Sequence, residues 1–182
     1  MRRHRLFLLC AAWLKPCRLV SLLGMLILFA GQPMLAQTPL KWGIGMHAGV
    51  SHGGWNLALV GQVRVRDFQA YAGPSFTLGR GTGSGSPIGF NGGLDAMILS
   101  KMQWLGSLVN LDYQFQPLAG KDQLHSLHLG YGLRFDFWNG FFLAQQLGYG
   151  VYWERVHAVQ GGDIKSYSGY SGLVRVRAGY QF

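Results

Sequence analysis

The chain has 182 residues and a formal net charge of +9, and it contains 28 glycines. Five of its 16 Lys and Arg side chains lie within the first 36 residues, so 11 remain against seven acidic side chains. This small excess, without any run of Lys and Arg, excludes a nucleic-acid footprint. Both cysteines, Cys10 and Cys17, lie in the same N-terminal stretch, so the rest of the chain has no disulfide or cysteine metal site.

Residues 1–36 have the features of a cleaved signal peptide. A basic start with three arginines is followed by an apolar run from Leu19 to Ala30, which is short for a membrane-spanning helix. Ala36 is the small residue expected before the cut, although Met34 departs from the small-residue rule. We therefore expect a signal peptide over 1–36 and one domain over 37–182.

From residue 40 onward, apolar side chains recur at every second position, which is the period of a β-strand and not of a helix. In the first segment, Trp42, Ile44 and Met46 alternate with small or polar residues. The same pattern predicts eight strands, at Leu40–Val50, Leu57–Arg66, Phe68–Leu78, Phe90–Ile98, Leu105–Phe115, Ser126–Phe137, Leu143–Trp153 and Ser171–Phe182.

The predicted connections alternate between short and long. Tight turns are expected at Asp67, at Ser100–Gln103 and at Asn139-Gly140, where the last pair is a strong hairpin signal. Longer loops are expected at Gly79–Gly89, at Pro117–Gln123 and at Glu154–Ser166. Pro74 predicts a kink or bulge in the third strand. Eight strands joined in this way are typical of an antiparallel, up-and-down transmembrane β-barrel.

The two faces of the predicted strands differ in chemistry. One face is apolar, with tryptophans near strand ends that suit interfacial girdles: Trp42, Trp104, Trp138 and Trp153. The other face carries charges that would point into the lumen: Arg64, Arg66, Asp95, Asp112, Arg134, Asp136, Arg175 and Arg177. An eight-stranded barrel is just wide enough to be filled by side chains, so these charges need partners.

Strand direction predicts which lumen charges lie at similar depth. The second and sixth predicted strands run the same way and lie on opposite walls. We therefore expect Asp136 to pair with one or more of Arg64, Arg66 and Arg134. By the same argument, Asp95 and Asp112 should pair with Arg175 or Arg177.

The C-terminal stretch resembles a known signal. Val176, Ala178, Tyr180 and Phe182 alternate and end on an aromatic residue, as in the C-terminal signal of bacterial outer-membrane β-barrels. This resemblance implies recognition by the barrel-assembly machinery. Over the whole of 37–182 the chain resembles small eight-stranded outer-membrane proteins of the porin-like superfamily, and its Tyr71–Phe76 segment is similar to segments of the outer membrane protein β-barrel domain group. The resemblance implies an outer-membrane location in a Gram-negative bacterium.

Three functions are compatible with this pattern. The first is a monomeric structural or surface-interaction barrel in contact with outer-membrane lipids, with no enzyme activity, cofactor, metal site or nucleic-acid partner. The second is a lipid-modifying hydrolase that resembles lipid A deacylases and uses Ser126, His128 and Glu154, because serine, histidine and acid can form a hydrolytic triad. Its serine and histidine stand in reversed order relative to that family. The third is a soluble lipocalin-like barrel, which the apolar outward columns argue against.

Overall fold

A computed structural model describes residues 40–78, 88–102, 104–118, 122–157 and 164–182. The predicted signal peptide over 1–36 lies outside these residues. Within the described part of the chain, no helix has both the length and the apolar character needed to cross a membrane.

Eight strands account for nearly all of the described chain. They are β1 (Lys41–Ser51), β2 (Gly54–Val65), β3 (Phe68–Leu78), β4 (Ile88–Met102), β5 (Leu105–Pro117), β6 (Gln123–Asp136), β7 (Phe141–His157) and β8 (Ile164–Gln181). Each strand pairs antiparallel with the next, and β8 pairs with β1, so that the sheet closes into an up-and-down barrel. The predicted eight-stranded all-β fold is confirmed.

The barrel has two distinct ends. The end that also holds Lys41 and Gln181, which we call the turn end, holds the short connections at Arg66–Asp67 and Trp138–Gly140 and the adjoining ends of β4 and β5 at Met102 and Leu105. The opposite end, which we call the loop end, holds the Ser51–Gly54 connection and the described ends of β3, β5 and β7. The φ angles of +71° at Asn139 and +84° at Gly140 are those of the predicted hairpin turn.

The alternation in the sequence becomes an inside and an outside. On β2, Leu59 is 57% exposed whereas its neighbour Val60 is 1% exposed. The same switch repeats along β1, where Ile44 and Met46 point outward and His47 is fully buried. The exterior is therefore apolar and the interior mostly polar, which is the reverse of a water-soluble barrel.

Three boundaries differ from the sequence prediction by four residues or more. β4 continues through Ser100 to Met102, with register shifts against β5 after Met97, so the predicted turn at Ser100–Gln103 is shorter. β7 continues to His157 and β8 begins at Ile164, so much of the predicted Glu154–Ser166 loop is a hairpin ladder. Residues 164–168 are exposed on both faces, and the apolar alternation that marks a strand is therefore lost there.

Pro74 interrupts one ladder without changing the register. The pairing of β2 with β3 skips from Ala58–Ser75 to Gly61–Ala72. Both strands advance by three residues across this gap, so the register is the same on either side. Proline has no amide hydrogen to donate, so it breaks the ladder locally. The expected irregularity is thus a gap in the ladder and not an inserted residue.

The seam between β1 and β8 closes the barrel. Its ladder runs from Gly43–Gln181 to Val50–Val174. Beyond the last strand, the amide of Phe182 donates to the carbonyl oxygen of Trp42 at 2.8 Å. The last residue of the chain is therefore tied to the first strand.

Inward-facing glycines make room for large side chains in the lumen. Tyr71 of β3 is buried and lies across Gly93 of β4. A Cβ at position 93 would lie 2.5 Å from Tyr71 Oη and would also meet the carbonyl oxygen of Leu111. At position 61, which faces outward, the nearest atom to an added Cβ is the Ala72 carbonyl oxygen at 3.9 Å.

This contrast gives a matched pair of variants. Gly93→Ala should destabilise the protein by about 1–3 kcal/mol, because the added methyl group overpacks the lumen and displaces Tyr71. Gly61→Ala should change stability by no more than about 0.5 kcal/mol. Urea unfolding of the two purified variants measures both values, and equal midpoints would show that Tyr71 does not need the space over Gly93.

Candidate functional site, the charged lumen

Two arginine–aspartate pairs span the lumen. Arg175 and Arg177 are adjacent inward residues of β8, and they meet Asp112 of β5 and Asp95 of β4 across the barrel. Arg177 donates to Asp95 from Nη1 to Oδ1 at 2.9 Å and from Nη2 to Oδ2 at 2.5 Å. Arg175 binds Asp112 in the same bidentate geometry. Its Nη2 donates to Oδ1 at 2.9 Å, and its Nη1 donates to Oδ2. All four side chains are buried, so each charge depends on its partner.

Among the described side chains of the lumen, Asp112 accepts the most hydrogen bonds. Besides Arg175, it accepts from Tyr71 Oη at 2.6 Å and from Asn91 Nδ2 at 3.2 Å. Gln114, two residues along the same strand, donates to Oδ1 at 3.1 Å. A carboxylate has about four lone-pair sites, and these donors engage both oxygens. Asp112 therefore joins β3, β4, β5 and β8 through one side chain.

Tyr71 lies at the centre of this group. The guanidinium of Arg177 stands over its ring, 4.8 Å from the centroid, which is a cation–π geometry. Asn110 Nδ2 donates to Tyr71 Oη at 3.3 Å, and the His47 ring meets the Tyr71 ring edge-on at 4.8 Å. The sequence pattern places Tyr71 inside, but its position at the centre depends on which strands face it.

A third charged group lies nearer the turn end. Arg134 Nε donates to Asp136 Oδ1 at 2.8 Å, and Arg64 Nη1 lies 3.6 Å from Asp136 Oδ2. Arg134 also donates from Nη1 to Gln69 Oε1 at 2.5 Å and stacks over the Phe142 ring at 4.0 Å. Asp136 is 28% exposed, so this group is more open than the two central pairs.

Arg66 does not join the lumen, and its assignment to the inward set is wrong. It sits in the turn between β2 and β3 with φ of +52°, and its side chain is exposed. Its backbone carbonyl accepts a hydrogen bond from Arg64 Nε at 3.1 Å. Alternation holds only within a strand, and the left-handed turn residue is outside that rule.

The hydrolytic triad does not assemble. His128 Nε2 lies 3.0 Å from the hydroxyl of Ser171 on β8, so the histidine is directed to that serine and not to Ser126. Glu154 is a strand residue near the loop end, opposite Leu124 and Tyr167. Ser171 and His128 are both buried, which leaves no exposed nucleophile in this group. Among the described side chains, no three His, Cys, Asp or Glu residues are grouped to hold a metal ion.

Aromatic side chains stand on the outer surface at both ends. At the turn end, Trp42 is exposed and Trp104 stacks on Phe135 with centroids 6.3 Å apart. At the loop end, Trp153 stacks on His125 with parallel rings 5.6 Å apart. The side chain of Trp138 lies outside the described part of the structure. Tyr180 and Phe182 of the C-terminal stretch are exposed, and their ring centroids lie 5.4 Å apart. On the same face, Val176 is exposed and Ala178 is half-buried.

These features define an eight-stranded antiparallel barrel with an apolar exterior and a charge-paired interior. No protein family matches the chain, and no curated protein is similar to it. Among solved structures, the chain is similar to a major outer membrane protein from Thermus thermophilus, with 16% identity and a TM-score of 0.40 over 79% of this chain and 100% of that chain. It is also similar to Neisserial surface protein A, with 14% identity and a TM-score of 0.28 over 79% of this chain and 96% of that chain. Likeness at this level carries no property of either protein over to this chain.

The central pairs predict a graded loss of stability. Asp112→Ala should destabilise the barrel by about 3–5 kcal/mol, because it strands the buried charge of Arg175. Asp67→Ala, in the exposed turn, should leave the unfolding midpoint nearly unchanged. The measurement is urea unfolding of each purified variant beside the unmodified protein.

A double variant separates the cost of an unpaired buried charge from the cost of lost side-chain volume. Replacing both partners, Asp112→Leu with Arg175→Met, should recover part of the stability lost in Asp112→Ala, since no unpaired charge remains. A double variant no more stable than Asp112→Ala would contradict this account of the pair.

Proposed function

We propose that this protein is a small integral β-barrel of the bacterial outer membrane, with a lumen filled by side chains and a structural or surface-interaction role. The observation that carries the proposal is the distribution of polarity. Large apolar side chains stand exposed on the outside of every strand but β5, whose outward apolar side chains are partly exposed, while Arg175, Arg177, Asp95 and Asp112 are buried inside. In water this arrangement would leave a large apolar surface exposed to solvent. In a bilayer the apolar surface meets lipid, and the charges stay paired in the lumen.

A closed sheet suits such an environment. Every strand of the barrel has a hydrogen-bonded neighbour on both sides, so backbone groups facing the lipid are paired within the sheet apart from the local gap between β2 and β3 at Pro74. Tryptophans near both ends fall where a membrane meets water. Both features support insertion across the membrane by the strands themselves.

The interior supports a closed barrel more than a pore. Large side chains fill the lumen at several depths, in the pairs Arg177–Asp95, Arg175–Asp112 and Arg134–Asp136. Eight-stranded barrels have room for side chains and little else. We take the protein to be non-conducting and non-enzymatic, and to meet its surroundings through the loop end.

Export and assembly follow from the same proposal. Residues 1–36 serve as the signal peptide, and the Val176–Phe182 segment is recognised by the barrel-assembly machinery before the monomer meets outer-membrane lipids. The tie between Phe182 and Trp42 also gives the terminal residue a part in closing the seam.

Cell fractionation combined with surface proteolysis tests the location. The full-length protein, expressed in a Gram-negative host, should enter the outer-membrane fraction and migrate differently on gels before and after heating. Changing Phe182 to Asp should reduce both the membrane yield and the heat-modifiable form, whereas Lys41→Gln, an exposed change at the same end, should not. Recovery of the unmodified protein in the soluble fraction would contradict membrane insertion.

Planar-bilayer recording tests the filled lumen. The unmodified protein should give no steady current, because the central side chains occlude the path. Removing a central pair with Asp112→Ala and Arg175→Ala should produce current by emptying the middle of the lumen. A steady current from the unmodified protein would replace the filled-lumen proposal with a pore.

A further inference from the structure

We infer that the outer surface at the loop end of β6 and β7 carries a binding site for the phosphate group of a membrane lipid, formed by Arg155 and His125. The inference rests on the proposed insertion in the outer membrane. It assigns a ligand to a lipid-facing surface that is separate from the lumen.

Strand pairing arranges this surface in three neighbouring rows. The row nearest the barrel centre is mainly apolar and contains Tyr113, Leu127, Val151 and Tyr170. The next row is mainly aromatic and contains Phe115, His125, Trp153 and Ser168. The row beyond it is mainly polar and contains Pro117, Gln123, Arg155 and Ser166. Polarity therefore changes from hydrocarbon-like to water-like within three rows, as it does where acyl chains meet headgroups.

His125 is held in place by its neighbours. Its Nδ1 lies 2.8 Å from the hydroxyl of Tyr113, its ring is stacked parallel to Trp153, and Phe115 lies 5.0 Å away between ring centroids. A tyrosine hydroxyl that donates to Nδ1 leaves the ring proton on Nε2, on the other side of the imidazole. In that tautomer Nε2 can donate to a ligand.

Arg155 supplies the charge. In the described strands it is the only charged side chain that the alternation turns outward at the loop end, and it is exposed. It is directly opposite Gln123 and diagonal to His125, since His125 pairs with Trp153. Diagonal neighbours on one face of a sheet lie about 7–8 Å apart, a span that one phosphate can bridge between a guanidinium and an imidazole.

The chemistry of the three groups favours phosphate. Guanidinium binds phosphate oxygens in pairs, and the Gln123 amide and His125 Nε2 can donate to the remaining oxygens. The aromatic row beneath excludes water from one side and supports the acyl chains of the same lipid. A lipid with a phosphate headgroup can contact the aromatic row with its acyl chains and the polar row with its phosphate. Free phosphate can contact only the polar row.

Lipid retention by native mass spectrometry tests the site. The full chain is refolded in a sugar-based detergent that has no phosphate, and lipid A is added with its phosphates or after their enzymatic removal. The unmodified protein should retain the phosphorylated lipid at least about tenfold better than the dephosphorylated one, as expected for charge-assisted hydrogen bonds. Arg155→Gln and His125→Gln should each abolish most of that preference.

Lys165→Gln is the matched control. Lys165 is an exposed cation of the same hairpin, but its position in the alternation places it on the opposite face from Arg155. Its loss should leave the preference unchanged, and an equal loss in Lys165→Gln and Arg155→Gln would reduce the site to general attraction between charges. Equal retention of both lipids by the unmodified protein would also overturn the inference.

A competition arm identifies the source of the phosphate. Inorganic phosphate at the concentration of the lipid should not displace it, and displacement would assign the site to free phosphate and overturn the lipid assignment. Heat-modifiable gel mobility is recorded for every variant. Folded protein that fails to distinguish the lipids would refute only this site, while protein absent from the membrane fraction of cells would refute the proposed function.

Discussion

The paired contact of Arg175 with Asp112 is the constraint on which the interior depends. A closed eight-stranded barrel turns half of its side chains into a space too narrow for bulk water, so any charge placed there must be matched by another strand. Asp112 meets this demand with donors from four strands, and Tyr71 joins it to the second pair through Arg177. The lumen thus ties opposite walls together, beyond the pairing of neighbouring strands.

The same constraint explains where small residues occur. Tyr71 can reach across β4 because position 93 has no side chain, and Asn110 lies over Gly130 in the same way. At these two positions an inward glycine therefore leaves the space that a neighbouring large side chain fills. The high glycine content of the chain follows in part from this requirement for interior space.

Alternation was enough to predict the class of fold and the face on which most side chains lie, because a period of two is a local property of the chain. Arg66 was misplaced since it belongs to a turn, where that period stops. The start of β8 was missed because residues 164–168 are exposed on both faces, and no polarity difference marks the strand there. The central position of Tyr71 in the lumen could not be predicted without the register of β3, β4 and β5. That register depends on contacts between residues far apart in sequence.

The unequal lengths of the strands have an energetic consequence for the barrel as a whole. The ladder between β1 and β8 ends at Val50–Val174, whereas that between β7 and β8 continues to His157–Ile164. Fewer backbone hydrogen bonds close the seam than hold the last hairpin, so local opening costs less free energy at the seam than within the hairpin. The sheet should therefore open locally by separating β1 from β8, while strands β5–β8 stay together as a cooperative unit. The order in which the backbone amides exchange with solvent is then set by the topology of the barrel.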